Sequence, residues 1–284
     1  MNRLIFRDFD QGALDREYDT REHVPSVDLY RTRWEKESAA VRRRAASPVD
    51  IPYGPSPLER LDVFPPQRSA APVQVFFHGG YWCRSDKLYY GFVADGFPDA
   101  LTVVTNYTLC PSVNMDELVE QCRNVIAWVH LNATKFGGDP CRIFISGHSA
   151  GAHITAMLAA CDWTARGLPA DVIKGVTAMS GLFELEPIRL SFMNAEIRLT
   201  PELVSRNSPM RLAPPQLPML VSVGSLESAE FRRQSADYAA HVGASQPDGQ
   251  FLEARGHHHY SILDAFHDRR SGLGMAVRDQ MGLA

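Results

Sequence analysis

The sequence has no excess of basic residues: 29 Lys and Arg stand against 33 Asp and Glu, a formal net charge of −4 over 284 residues. A nucleic-acid partner, which a basic face would announce, is not expected. Cysteine is scarce and odd in number, five in all, with no C-x-x-C pair. That pattern argues against a zinc site and against a disulfide framework. No apolar run approaches the length of a membrane span. The opening residues, with Arg3, Arg7, Asp8 and Asp10, lack the apolar centre of a signal peptide. No internal repeat or low-complexity tract interrupts the chain. These absences predict a cytoplasmic protein with neither nucleic acid nor membrane as partner. The one dense positive run, Arg42, Arg43 and Arg44, falls in a helical stretch and reads as a solvated face.

What is present is an ordinary globular composition, 45% apolar and 22% charged. The length suits one large α/β domain over residues 1–284 and is short for two. A charge-rich, helix-like stretch runs from Asp15 to about Ala46, and residues 47–58 read as a loop. Strands are predicted at 61–64, 73–77, 101–105, 142–146, 176–179, 219–223 and 250–253. Helices are predicted at 114–133, 150–160, 229–242 and 261–268. Strands alternating with helices imply a mostly parallel sheet covered on both faces, with the chemistry in loops at the C-terminal strand ends. Residues 182–215 break the alternation with two short helical patches and several prolines. They are read as an insertion that, with the N-terminal helices at about 1–50, caps the site.

Gly147-His148-Ser149-Ala150-Gly151 fits G-x-S-x-G between a β-rich run and a small-residue helix. This is the setting of a nucleophile elbow, in which a sharp turn lifts the serine above the sheet at a helix N-terminus. His78-Gly79-Gly80-Tyr81-Trp82 follows an earlier strand. Its two glycines let the backbone approach a substrate carbonyl, so the N–H groups of Gly79, Gly80 and Ala150 are the candidate oxyanion hole. His78 is read as orienting that loop. In such proteins the chain order is serine, acid, histidine. Glu227, Glu230 and Asp264 are the acids near the required position; Glu227, in the loop after strand 219–223, is preferred. Glu230 suits the first turn of a helix by charge alone. Among His257, His258 and His259, the last precedes a helix directly and is chosen as the base, with His258 second. A histidine run can also bind metal, but no Asp, Glu or Cys set accompanies it, and neither metal nor cofactor is called for. Tyr81, Trp82, His148 and Phe183 are the candidate substrate-binding residues, and Phe192 and Met193 are placed to close the pocket from above.

Taken together these residues resemble the arylformamidase, or kynurenine formamidase, branch of the α/β-hydrolases and its bacterial esterase-like relatives. The resemblance covers most of the chain. It rests on His78-Gly79-Gly80-Tyr81-Trp82, on residues 227–235 as the acid loop and following helix, and on Gly256-x-x-His259-Tyr260. The stretch Leu14 to Tyr18, Arg33-Trp34 and residues 180–183 are similar as well. The family usually has Asp where Glu227 stands and Phe where Tyr260 stands. The resemblance supports His259 independently and implies hydrolysis of an aryl formamide such as N-formylkynurenine, a small molecule of tryptophan breakdown. A carboxylesterase or another amidase for small aryl or short-acyl substrates is the alternative within enzymes. A non-catalytic ligand-binding hydrolase fold is the alternative outside them. An exposed sheet edge would permit a homodimer.

Overall fold

A computed structural model describes residues 3–44, 49–243 and 250–283. The end of the expected N-terminal helical stretch and the start of the loop after it, residues 45–48, lie outside the described residues. Eight strands form one sheet: β1 (Ile51–Pro52), β2 (Arg60–Phe64), β3 (Ala71–Phe77), β4 (Leu101–Thr105), β5 (Gly138–His148), β6 (Ile173–Met179), β7 (Met219–Gly224) and β8 (Gln250–Ala254). Their spatial order is β1-β2-β4-β3-β5-β6-β7-β8. The pairs from β4 to β8 are parallel, whereas β2 runs antiparallel to β1 and β4. The chain steps from β3 outward to β4, then returns past β3 to β5. The direction of winding therefore reverses between β3 and β5, the position at which open α/β sheets leave a crevice for ligands. The loops leaving these two strands carry the His78–Trp82 and Gly147–Gly151 motifs.

The helices are α1 (Gln11–Tyr18), α2 (Val27–Arg44), α3 (Met115–Asn132), α4 (Ala150–Ala159), α5 (Glu186–Leu190), α6 (Asn194–Ile197), α7 (Pro201–Asn207), α8 (Ala229–Gly243), α9 (Ile262–His267) and α10 (Gly272–Gln280). β3 shows why the sheet is covered twice. Val73, Val75 and Phe77 join the apolar layer containing α3, α4 and α8, while the alternate residue Phe76 joins the layer with α2, α9 and α10. α3 starts where Asn114 and Glu117 form a capping box, and it buries Met115, Leu118, Val119, Cys122, Val125, Ile126 and Val129 on one face.

The structure corrects several element boundaries. The N-terminal helices begin at Gln11 rather than Asp15, because Asp10 caps α1, and the chain turns at residues 19–26 around Pro25 before α2. The insertion holds three short α-helices, not two patches, and α7 begins on the Thr200 cap with Pro201 in its first turn. α10 was not expected, since Gly272 and Gly274 weaken its helical signal; Ser271 caps it and Leu273 and Val277 bury its inner face. Residues 51 and 52, read as loop, pair as the short edge strand β1. Arg42 is not a solvated charge: it bonds Asp62 and the carbonyls of Lys87 and Leu88. The N-terminal helices and the insertion meet directly, through Gln11 to the Leu190 carbonyl (2.9 Å) and the Phe192 N–H to Asp15 (2.8 Å).

Candidate active site

Ser149 stands between β5 and α4 with φ 57° and ψ −120°, a conformation that costs energy for a residue with a side chain. Glycines stand two residues to either side of it because nothing larger fits there. A Cβ on Gly147 would lie 2.2 Å from the Gly151 carbonyl oxygen, and one on Gly151 would lie 2.0 Å from that of Phe77. The strained turn is held by the Ser149 N–H, which donates to Met179 on β6 (2.8 Å). The motif thus records the packing of a turn wedged between two strands and a helix.

The loop after β3 comes equally close. A Cβ on Gly79 would sit 3.0 Å from Cβ of Ser149 and 2.9 Å from the His148 carbonyl. Gly80 (φ 109°), Tyr81 (51°) and Trp82 (57°) then form a left-handed run. The Arg84 N–H closes it on the Gly80 carbonyl at 2.9 Å. No protein group accepts a hydrogen bond from the N–H of Gly79, Gly80 or Ala150 among the described residues. Three side chains brace the loop. The Tyr81 hydroxyl donates to the Tyr18 carbonyl (2.6 Å), and Trp82 Nε1 donates to His153 Nδ1 (3.1 Å). His78 stacks against Tyr107 at 4.5 Å, with its Nδ1 2.7 Å from the Gly79 carbonyl.

The acid and histidine loops are laced together. Ser225 N–H donates to Ala254 (3.1 Å) and Leu226 N–H to His257 (3.0 Å). Across this seam Glu227 Oε2 lies 2.6 Å from His259 Nδ1, with both side chains buried. A carboxylate only accepts, so Nδ1 carries the proton and Nε2 keeps its lone pair. The other oxygen of Glu227 accepts from Ser180 Oγ (2.6 Å) and from the Gly224 N–H (2.7 Å). The rival groups are engaged elsewhere. Glu230 accepts from Tyr18 (2.8 Å) and Arg233 (2.7 Å), and Asp264 pairs with the exposed Arg33. His258 Nε2 lies 3.1 Å from the Tyr30 hydroxyl, and His257 Nδ1 lies 2.9 Å from the Ser261 carbonyl. The three consecutive histidines therefore point three ways. Among the described residues no group of three or more His, Cys, Asp or Glu is arranged to hold a metal ion.

Ser149, His148 and His259 line one cavity of about 580 Å³, a volume suited to a small molecule. No hydrogen bond joins Ser149 Oγ to His259 Nε2 in this structure, a contact that often tightens only around substrate. Gly80 and Tyr81 form part of the floor, Phe192 and Met193 come from the insertion, and the turn and helix start at residues 18–34 form the outer wall. Two expected lining residues are elsewhere. Trp82 is fully buried, and its indole links the loop after β3 to α4 through His153, whose Nε2 donates to Asn207 of α7 (2.7 Å). Phe183 stacks on Tyr238 at 4.1 Å in the core under α8. Each ring covers more apolar surface there than a wet cavity offers. The N-terminal helices and the insertion both reach the cavity, as the cap expectation had it; sequence reasoning missed the position of Ser180 against the carboxylate. The family-like stretch at residues 180–183 was the local trace of Ser180, which the structure places at φ 53° just before the insertion.

The burial of His148 also sets its charge. Desolvation, and then the neighbouring His259, push its pKa well below the usual value. The neutral ring donates Nε2–H to the His259 carbonyl (2.7 Å).

Comparison with known proteins agrees with this geometry. The BD-FAE family model matches residues 61–180, the part of the chain that carries the His78–Trp82 and Gly147–Gly151 loops. A solved structure from Silicibacter sp. TM1040, described provisionally as a thioesterase, superposes with a TM-score of 0.81 at 25% identity, covering 92% of this chain and 97% of that one. The carboxylesterase EstE1 from a metagenomic library shares the fold, with a TM-score of 0.68 at 19% identity over 90% of this chain and 97% of its own. The kynurenine formamidase of Danio rerio is 32% identical over 244 residues, 82% of each chain. The chain belongs to the kynurenine formamidase family. The similarity to the Salmo salar kynurenine formamidase, 29% identical, extends over 98% of both chains. It therefore takes in the N-terminal helices and the insertion as well as the sheet. This family member is a serine hydrolase with the α/β-hydrolase fold. No described helix is long and apolar enough to cross a membrane.

Proposed function

We propose that this enzyme hydrolyses an aryl formamide, with N-formylkynurenine as the candidate substrate, through Ser149, His259 and Glu227. The observation that carries the reading is the buried Glu227–His259 pair at 2.6 Å, whose imidazole lines one cavity with Ser149 and Gly80 of the glycine loop. The names of the fish relatives supply the substrate class. His259 Nε2 takes the proton of Ser149 as Oγ attacks the formyl carbon. The resulting oxyanion accepts from the Gly79, Gly80 and Ala150 N–H groups, which have no competing acceptor. His259 returns the proton to the aryl amine nitrogen, the C–N bond breaks, and a formyl ester remains on Ser149. Water, deprotonated by the same imidazole, attacks that ester. Formate leaves and Oγ regains its proton. The reaction would belong to tryptophan breakdown.

A carboxylesterase for small aryl esters is the second reading, favoured by the esterase fold neighbours. The deciding measurement is kcat/KM for N-formyl-L-kynurenine beside p-nitrophenyl acetate, on wild type and Ser149→Ala. Serine-dependent deformylation well above the ester rate supports the formamidase reading. Cleavage of the ester alone removes it and leaves the esterase.

A further inference from the structure

Three exposed arginines line the cavity: Arg21, Arg31 and Arg84. Arg21 is bound to Asp19 through two nitrogens (both 2.8 Å), and Arg84 is paired with Glu196. Arg31 differs from both. It pairs with no carboxylate among the described residues, and its guanidinium lies 5.7 Å from the centre of the Tyr89 ring, itself part of the wall. Three residues earlier on α2 stands Asp28, which also lines the cavity and has no hydrogen-bond or ion-pair partner among the described residues. Residues three apart on a helix share a face, so one helical turn offers a free cation and a free anion side by side. The buried Ser149 and His259 line the same cavity.

We infer that this turn of α2 is a subsite for the zwitterionic head of an α-amino acid, with Arg31 taking the carboxylate and Asp28 the ammonium. The guanidinium fork matches a carboxylate with two N–H···O bonds, and the Tyr89 face holds it in place. A neutral ester would leave both charges to water, whereas a zwitterion engages both at once. The inference rests on the formamidase reading for the bond that is cut. The binding of the head group does not depend on that reading.

The test is therefore a binding measurement, calorimetric titration of the intact protein with L-kynurenine and with kynuramine, its analogue without the carboxylate. L-Kynurenine binds the wild type about five- to tenfold tighter than kynuramine, and the advantage shrinks as salt is raised. Arg31→Met removes that advantage and leaves the kynuramine affinity within twofold, while Arg31→Lys restores part of it. Asp28→Asn weakens both ligands. Equal wild-type affinity for the two ligands overturns the subsite, as does an advantage that survives Arg31→Met. Failure of the formamidase reading shows differently: N-formyl-L-kynurenine is not deformylated, whatever the titrations give.

Discussion

His148 Nε2 lies 2.7 Å from the backbone carbonyl of His259, so the residue next to the serine holds the loop that carries the imidazole. The rings lie 4.6 Å apart. One tether thereby couples the end of β5 to the loop after β8. His148→Leu takes the donor away and leaves a buried carbonyl unpaired, costing about 1–3 kcal/mol of stability. Misplacing the base lowers kcat roughly tenfold or more. His148→Gln, which keeps an N–H, recovers part of the rate. Steady-state kinetics with urea unfolding of each variant checks this, and unchanged kcat in the leucine variant would discard the tether.

The two glutamates of the acid loop separate by what they lose. Glu227→Gln replaces an oxygen that orients His259 and lowers kcat/KM on the order of 10²- to 10⁴-fold. Its effect on the melting temperature is small by comparison. Glu230→Gln breaks the buried contacts with Tyr18 and Arg233 and costs about 1–3 kcal/mol, with turnover per folded molecule within a few-fold. Reversed outcomes would move the acid to Glu230.

Ser180 is expected to act through Glu227 alone. Ser180→Ala removes one of the donors to Oε1, leaving the Gly224 N–H. The carboxylate is then less firmly aimed, and kcat falls roughly threefold to tenfold with KM nearly constant. A change confined to KM would mean that Ser180 reaches the substrate instead.

Stability should fall on mild acidification. Burial pushes the pKa of His153 down to about 4 and lowers those of His78 and His148. The unfolded chain takes up these protons below about pH 6.5, whereas the folded one resists. Each depressed group stabilises the fold fully above that pH, and the contribution drains away as pH drops toward the folded pKa. From pH 7 to 5 His153 alone accounts for about 2 kcal/mol. Urea unfolding at both pH values measures it. His153→Gln should lessen the difference by about that amount, and an unaltered difference would show that the ring is not neutral in the fold.

Local patterns were legible where one segment carries both its period and its punctuation. The strand at 101–105 and the α3 register, with seven apolar positions on one face, needed no partner to be read. G-x-S-x-G was readable because crowding at Gly147 and Gly151 forbids side chains whatever lies in the cavity. The bounds of α1 and α2 were hidden in charge-rich sequence, and α10 was hidden by its glycines.

The sequence by itself determined the alternation of strand and helix, the serine turn, the glycine loop and the short set of acids and histidines from which a site could be drawn. These follow from chain sterics and periodicity, which act within a few residues. Tertiary structure alone decided which of them meet. It laced the Glu227 loop to the His259 loop, brought Ser180 to the carboxylate, and sent Trp82 and Phe183 into the core. Such contacts join residues up to more than a hundred positions apart. Their energy comes from burial and from pairing buried polar groups across distant segments, which the assembled sheet allows and no one segment of it does.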